Sequence, residues 1–261
     1  FFRMRFLMGL QYRTAAIAGM TTQFVWGLME ILVFRAFYAA DPSAFPMTFE
    51  ATANYIWLQQ AFLAMFMTWF NDNEIFEHIS SGSVAYELCR PCDLYSMWFI
   101  KNMALRLSRV VLRCVPILLV AACLPAPLGL SLPSGWGNGL LFPVSMLLGF
   151  LVLIAFSMLI YISAFYTISP MGIRILAATA LEFLTGGIIP IPFFPQWLQR
   201  VMYILPFGSM QNAPFLIYTG YLDGKHAVGT VMLQGIWLVG LVSVGKTLMA
   251  KASKKVIIQG G

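Results

Sequence analysis

Six apolar stretches, each close to the length that crosses a bilayer, fill most of this chain. A helix rises about 1.5 Å per residue, so roughly 20 apolar residues span a ~30 Å hydrocarbon core. The stretches run over residues 14–38, 52–70, 110–124, 140–166, 173–189 and 227–250. The third is short and borrows from the 105–109 side; the fifth is closed by Pro190 and Pro192. Of 261 residues, 60% are hydrophobic and 10% charged. The mean hydropathy of +0.80 lies well outside the range of a soluble domain. The sequence predicts an all-α polytopic membrane protein with six transmembrane helices, a single domain over 1–261 with no room for a second, soluble one.

Basic residues set the orientation. Arg3, Arg5 and Arg13 precede the first stretch; Arg90, Lys101, Arg106 and Arg109 lie between the second and third, with Arg113 just beyond. Arg174 follows the fourth, and Lys246, Lys251, Lys254 and Lys255 close the chain. The alternate connections carry only Arg200 and Lys225, with Arg35 near the far end of the first stretch. Both termini are expected in the cytoplasm, with the chain multi-pass in the cell membrane. The net charge of +6 is accounted for by this bias, so no nucleic-acid partner is expected. Within 1–12, Met4, Leu7, Met8 and Tyr12 recur at helical spacing beside the arginines. That pattern fits an interfacial amphipathic helix over 1–13, and equally an early start of the first span.

Cys89 and Cys92 form one C-x-x-C without a second pair or a histidine partner, which is weak support for a metal, so none is expected. Cys114 and Cys123 read as packing residues. Residues 240–247, Gly-Leu-Val-Ser-Val-Gly-Lys-Thr, match the phosphate-loop pattern letter for letter. That loop works because a strand delivers a glycine-rich turn to a helix N-terminus. Here the match lies inside an apolar span, so Lys246 reads as a side chain snorkelling to the membrane edge. Any ATP must be bound by another chain. Gly135-Trp136-Gly137-Asn138-Gly139 reads as an outer-loop turn.

Two connections carry more. Residues 71–109 form the longest cytoplasmic one. It opens Asn71-Asp72-Asn73-Glu74, a helix cap. Ile75, Ile79, Val84 and Leu88 then alternate with Glu74, Glu77, His78 and Glu87 until Pro91. This predicts short helices across the cytoplasmic face, either an ordinary surface loop or a docking element for a cytoplasmic partner. The outer segment 190–208 is too apolar for a solvated loop, yet Pro190, Pro192, Pro195 and Pro206 forbid one straight helix. Non-helical backbone at membrane depth needs protein or a wet cavity to satisfy it. Short re-entrant helices follow, with Trp197 and Tyr203 at the interface.

The stretch from Gly187 through Pro190, Pro195, Trp197 and Leu198 to Pro206 resembles the signature of the type 2 ABC exporter permeases. Ile79, Gly82, Leu88 and Pro91 are similar to a pattern in one branch of that family. The resemblance implies half of a transmembrane dimer, homo- or heteromeric, in a complex with two cytoplasmic ABC ATPase subunits that bind ATP and Mg. It implies a connecting helix at the start and a coupling helix carrying Glu74, Glu77, Ile79, Gly82, Glu87, Leu88 and Pro91. It also implies an outer gate at Pro190, Pro195, Trp197 and Pro206. No catalytic residue and no cofactor of its own are implied for the chain.

Glu30 and Glu182 lie within the first and fifth stretches. A carboxylate there costs on the order of 2.5–3.5 kcal/mol, so it rarely faces lipid. Gln23, Trp26, Gly27 and Glu30 share one helical face; Ala178, Thr179, Glu182, Thr185 and Gly186 share another. Such stripes serve either helix contact or a substrate path, here through Gln23, Glu30, Thr179 and Glu182. Arg35 either partners Glu30 or Asp41, though i to i+5 is not one helix face, or snorkels outward. The alternative function is an ion-coupled secondary transporter acting without an ATPase, for which both glutamates would be indispensable. An intramembrane enzyme is disfavoured, since His78 and His226 both fall in loops and no zinc-protease motif appears.

Overall fold

The computed structural model describes residues 2–10, 13–69, 72–167 and 170–255. Among them the fold is all-helical, without a strand. The order is α1 (Phe2–Gly9), α2 (Arg13–Ala40), α3 (Phe49–Ala61), α4 (Leu63–Phe66), α5 (Asn73–Ser80), α6 (Val84–Leu88), α7 (Leu94–Cys123), α8 (Trp136–Ser163), α9 (Pro170–Leu184), α10 (Gln196–Ile204), α11 (Asn212–Thr219) and α12 (Gly224–Ala252). Three segments are long and apolar enough to cross a membrane: Ile17–Ala40, Trp136–Tyr166 and Gly224–Ala252.

The other three apolar stretches differ from their sequence reading. The second is broken at Phe62 (φ −101°, ψ 11°) into α3 and α4, and its last residue, Phe70, lies outside the described residues along with Asn71 and Tyr12. The break turns the Phe62 ring toward Phe142 and Phe215, each 6.5 Å away. The third stretch is the end of a helix that begins at Leu94, where Asp93 caps it by accepting from Ser96 N at 2.9 Å. Lys101 and Arg106 made this part look like loop, but both are buried against partners that offset their charge. The fifth stretch ends at Leu184, not Ile189. The chain turns there through Gly186 (φ +78°), and Gly187 N donates back to Glu182 O at 2.9 Å. Two smaller readings also change. Trp136 to Gly139 form the first turn of α8, with Gly135 at its N-cap. Cys123 is exposed, whereas Cys114 packs against the core.

The longest packed pair is α8 on α12. Gln234, fully buried, donates to the Ser145 and Ser209 carbonyls at 3.1 and 2.9 Å and accepts from Ser145 Oγ at 2.9 Å. A second core joins α2, α3 and α7 around Ile31, Trp57 and Ile117. At one end lie α1, α5 and α6. At the other, Asn54, Trp57 and Tyr218 tie down the α7–α8 loop through Ser131 and Leu128. The chain after α10 does not stay at that end. Ile204 accepts from Trp237 and Ser209 from Gln234, ten or more residues into α12, a descent of about 15–20 Å.

Candidate functional site

At the end that carries α1, α5 and α6, one carboxylate links three helices. Asp72 caps α5, its side chain accepting from Glu74 N at 3.0 Å while its own N–H donates to the Tyr161 hydroxyl at 2.8 Å. Lys101 rises from α7 beneath this cap and is 2% exposed. Its Nζ lies 2.8 Å from Glu74 Oε2 and 2.9 Å from Asp72 Oδ2, the latter a close ion pair rather than an aligned hydrogen bond. Arg5 of α1 grips the same Glu74 as a fork, Nη1 to Oε2 at 3.0 Å and Nη2 to Oε1 at 3.2 Å. From below, Arg174 of α9 donates to Asn73 Oδ1 at 2.6 Å and sits 5.7 Å over the Phe76 ring.

Burial pushes the Glu74 carboxyl up, but the hydrogen bonds from Arg5 and Lys101, with their charges, outweigh it and hold it at about 2 against an ordinary 4.5. A lowered folded value means the pairing stabilises fully above about 4.5 and is lost as pH falls toward 2. The distance between spectroscopic probes on Met8 and Tyr86 is therefore expected to hold from neutral pH to about 5 and to broaden below about 4. A distance unchanged down to about pH 2 would show that Glu74 does not hold α1 in place.

The other coupling residues are placed unevenly. Gly82 (φ +75°) makes the turn between α5 and α6, a conformation that favours glycine. Ile79 packs against the core, while Glu77, Leu88 and Pro91 are exposed. Glu87 is not a surface group: it is buried, accepts from Trp98 Nε1 at 2.7 Å, and stands 3.4 Å from His78 Nδ1. Sequence reasoning missed Tyr86, which is 78% exposed on α6. The signal was its position two residues after buried Val84, which puts it on the helix's opposite side.

Within the bundle, α2, α3 and α9 enclose a groove of about 750 Å³. Gln23 and Glu30 reach it from α2, Glu182 from α9, and Gln59 and Gln60 from α3. Gln60 Nε2 donates to Glu30 Oε2 at a long 3.5 Å. The groove thus brings together Glu30 and Glu182, which the sequence could only place on separate helices. Thr179 is exposed and does not line it. Among the described residues no ion pair joins Arg35 to Glu30 or Asp41; Asp41 instead accepts from Ser43 Oγ at 2.6 Å.

The proline-rich segment closes one end of this groove through the turn at Gly186 and Gly187. Pro190 and Pro206 are buried, whereas Pro195, at the N-cap of α10, and Trp197 are exposed. Gln199 ties the segment together, donating to the Pro192 and Phe194 carbonyls at 2.8 and 2.7 Å. Tyr55 joins it to α3, its hydroxyl 3.0 Å from Gly186 O and 3.2 Å from Asn212 Oδ1. Residues 240–247 lie inside the uninterrupted α12, so they form no phosphate-binding turn. Lys246 is exposed there; burial pushes the Asp93 carboxyl up, but the hydrogen bonds from Ser96 and the charge of Lys246 hold it below its ordinary value.

Comparison with curated proteins gives no match. A family profile described as ABC-2 family transporter protein matches residues 24–260, taking in the groove apart from Thr22 and Gln23, the α5–α6 element and the proline-rich segment. The chain belongs to the ABC-2 transporter family, as a transmembrane permease of an ABC transporter.

Proposed function

We propose that this permease is one membrane half of an ATP-driven exporter, and that α5–α6 receives the force of a cytoplasmic ABC ATPase. The carrying observation is the clamp beneath that element. Buried Lys101 fastens the start of α5 to α7, while Tyr86 and Leu88 remain exposed on α6. A lever needs such a combination: a rigid attachment to the spans and a free face for a partner. In this reading α2, α3–α4, α7, α8, α9 and α12 are the six spans, both termini are cytoplasmic, and α1 lies on the inner surface of the cell membrane. Two ATPase subunits bind ATP and Mg, a second permease completes the dimer, and the groove beside Glu30 and Glu182 belongs to the path. The proline-rich segment, which descends beside α12, gates the outer exit through Pro190, Pro195, Trp197 and Pro206.

Isolation of the tagged chain in mild detergent tests this. A stoichiometric cytoplasmic ATPase is expected to co-purify. A clean chain that moves substrate down an ion gradient without one would overturn the reading. Tyr86→Ala should reduce transport-linked ATPase activity about tenfold or more while leaving the unfolding temperature within a degree or so, since an exposed side chain contributes within about ±0.5 kcal/mol to stability. Lys246→Ala should leave ATPase activity of the complex largely intact. Loss on the scale of a disabled catalytic lysine would mean that 240–247 binds nucleotide after all.

A further inference from the structure

The groove has a one-sided chemistry. Its charged lining is two carboxylates, Glu30 and Glu182, and no Lys, Arg or His lines it. Gln23 and Gln59 also line it, each 5% exposed, and the side-chain oxygen Oε1 of each is buried without a hydrogen-bond partner. Turning the Gln59 amide over would not relieve this, because its Nε2 already donates to the Gly187 carbonyl. Buried acceptors are normally satisfied, so two orphans in one groove mark where a donor is missing. Apart from Thr22 and Gln60, whose amide already donates to Glu30, the remaining wall is mostly apolar and aromatic, with Trp26, Phe34, Phe37 and Trp69. Such rings attract cations over their faces and pack flat apolar bodies. The volume of about 750 Å³ falls in the ~300–1,000 Å³ range of small-molecule sites.

We propose that this groove binds amphipathic organic cations that carry N–H donors. The positive centre sits between Glu30 and Glu182, N–H groups donate to Gln23 Oε1 and Gln59 Oε1, and the apolar body lies on the aromatic wall. The inference rests on the groove being part of the permease path and names the substrate class for it. Anionic and uncharged molecules lack the charge that the two carboxylates require, and a lipid tail supplies no donor to the orphaned oxygens.

The test is equilibrium binding to the full chain, with any ATPase that co-purifies, in nanodiscs of phosphatidylcholine. The probe is rhodamine 6G, an aromatic cation with N–H groups; the control is Nile red, uncharged and similarly apolar. Saturable rhodamine binding is expected, weakened about tenfold in Glu30→Gln and again in Glu182→Gln, and less so in Gln23→Leu. The two Gln variants keep side-chain shape, and an unchanged unfolding temperature verifies their folding. Nile red should bind weakly and equally to all forms. Equal rhodamine binding in the variants, no saturable binding, or displacement of rhodamine by Nile red would each overturn the proposal. A complex that hydrolyses ATP and moves another substrate without binding rhodamine would overturn the cation site but leave the permease reading standing. Carboxylate-dependent binding in a chain that recruits no ATPase would do the reverse.

Discussion

Lys101→Met is expected to destabilise the protein by about 3–5 kcal/mol, the usual cost of removing one partner from a buried ion pair. Lys101 is 2% exposed, and Asp72 beside it is nearly as buried, so neither charge can turn to water. Methionine fills the stem but takes from Asp72 its contacting cation, with only the charge of Arg109 still acting on it, and leaves Glu74 with Arg5 alone. Glu74 is 42% exposed, so most of the loss comes from Asp72. For a chain of this size each kcal/mol moves the unfolding midpoint by roughly 2–4 °C, so a fall of about 10 °C is expected in detergent. Arg5→Ala removes a half-exposed contact to the same carboxylate and should cost no more than about 1 kcal/mol. A Lys101→Met protein as stable as the parent would show that the Lys101 ion pairs contribute nothing and that α5 is held by its other contacts, among them Phe76 against Tyr161, whose rings lie 5.1 Å apart.

Arg106→Met carries the second large effect. Arg106 is fully buried, donates to Asn102 Oδ1 at 2.8 Å, and takes the carbonyls of Met65 and Met67 at 3.2 and 2.7 Å. Those carbonyls end the short α4, where a cation suits the free acceptors of a helix C-terminus. Each acceptor stripped of its donor costs roughly 1–3 kcal/mol, and here three are stripped together. The expected result is protein that is lost from the membrane fraction or unfolds far below the parent. Arg106→Lys supplies a charge but no fork, and should recover only part of the loss. Full stability in Arg106→Met would mean that water or a rearranged Asn102 satisfies these carbonyls.

The two buried cations also mark the limit of what the sequence revealed. Apolar runs over 14–38, 140–166 and 227–250 were legible because lipid demands long, uncharged helices, and α2, α8 and α12 follow them closely. The resemblance through Gly187, Pro190, Pro195, Trp197 and Pro206 is matched by the family profile over 24–260. Asp72 was legible as a cap because capping is local chemistry. The start of α7 was not, since Lys101 and Arg106 read as surface charges until their partners, many residues away, are known. Glu87 failed for the same reason: on α6 it looks like a docking charge, yet Trp98 takes it inward.

What the sequence alone determined, then, is whatever depends on neighbours along the chain: helix, membrane, cap and family. Only the tertiary structure decided which charges are buried struts, that Tyr86 is the exposed face of α6, and that Glu30 and Glu182 share a groove with two orphaned glutamine oxygens. The physical reason is range. A hydrogen bond or ion pair acts over about 3 Å, and whether a group finds one is fixed by helices that pack together from distant parts of the chain.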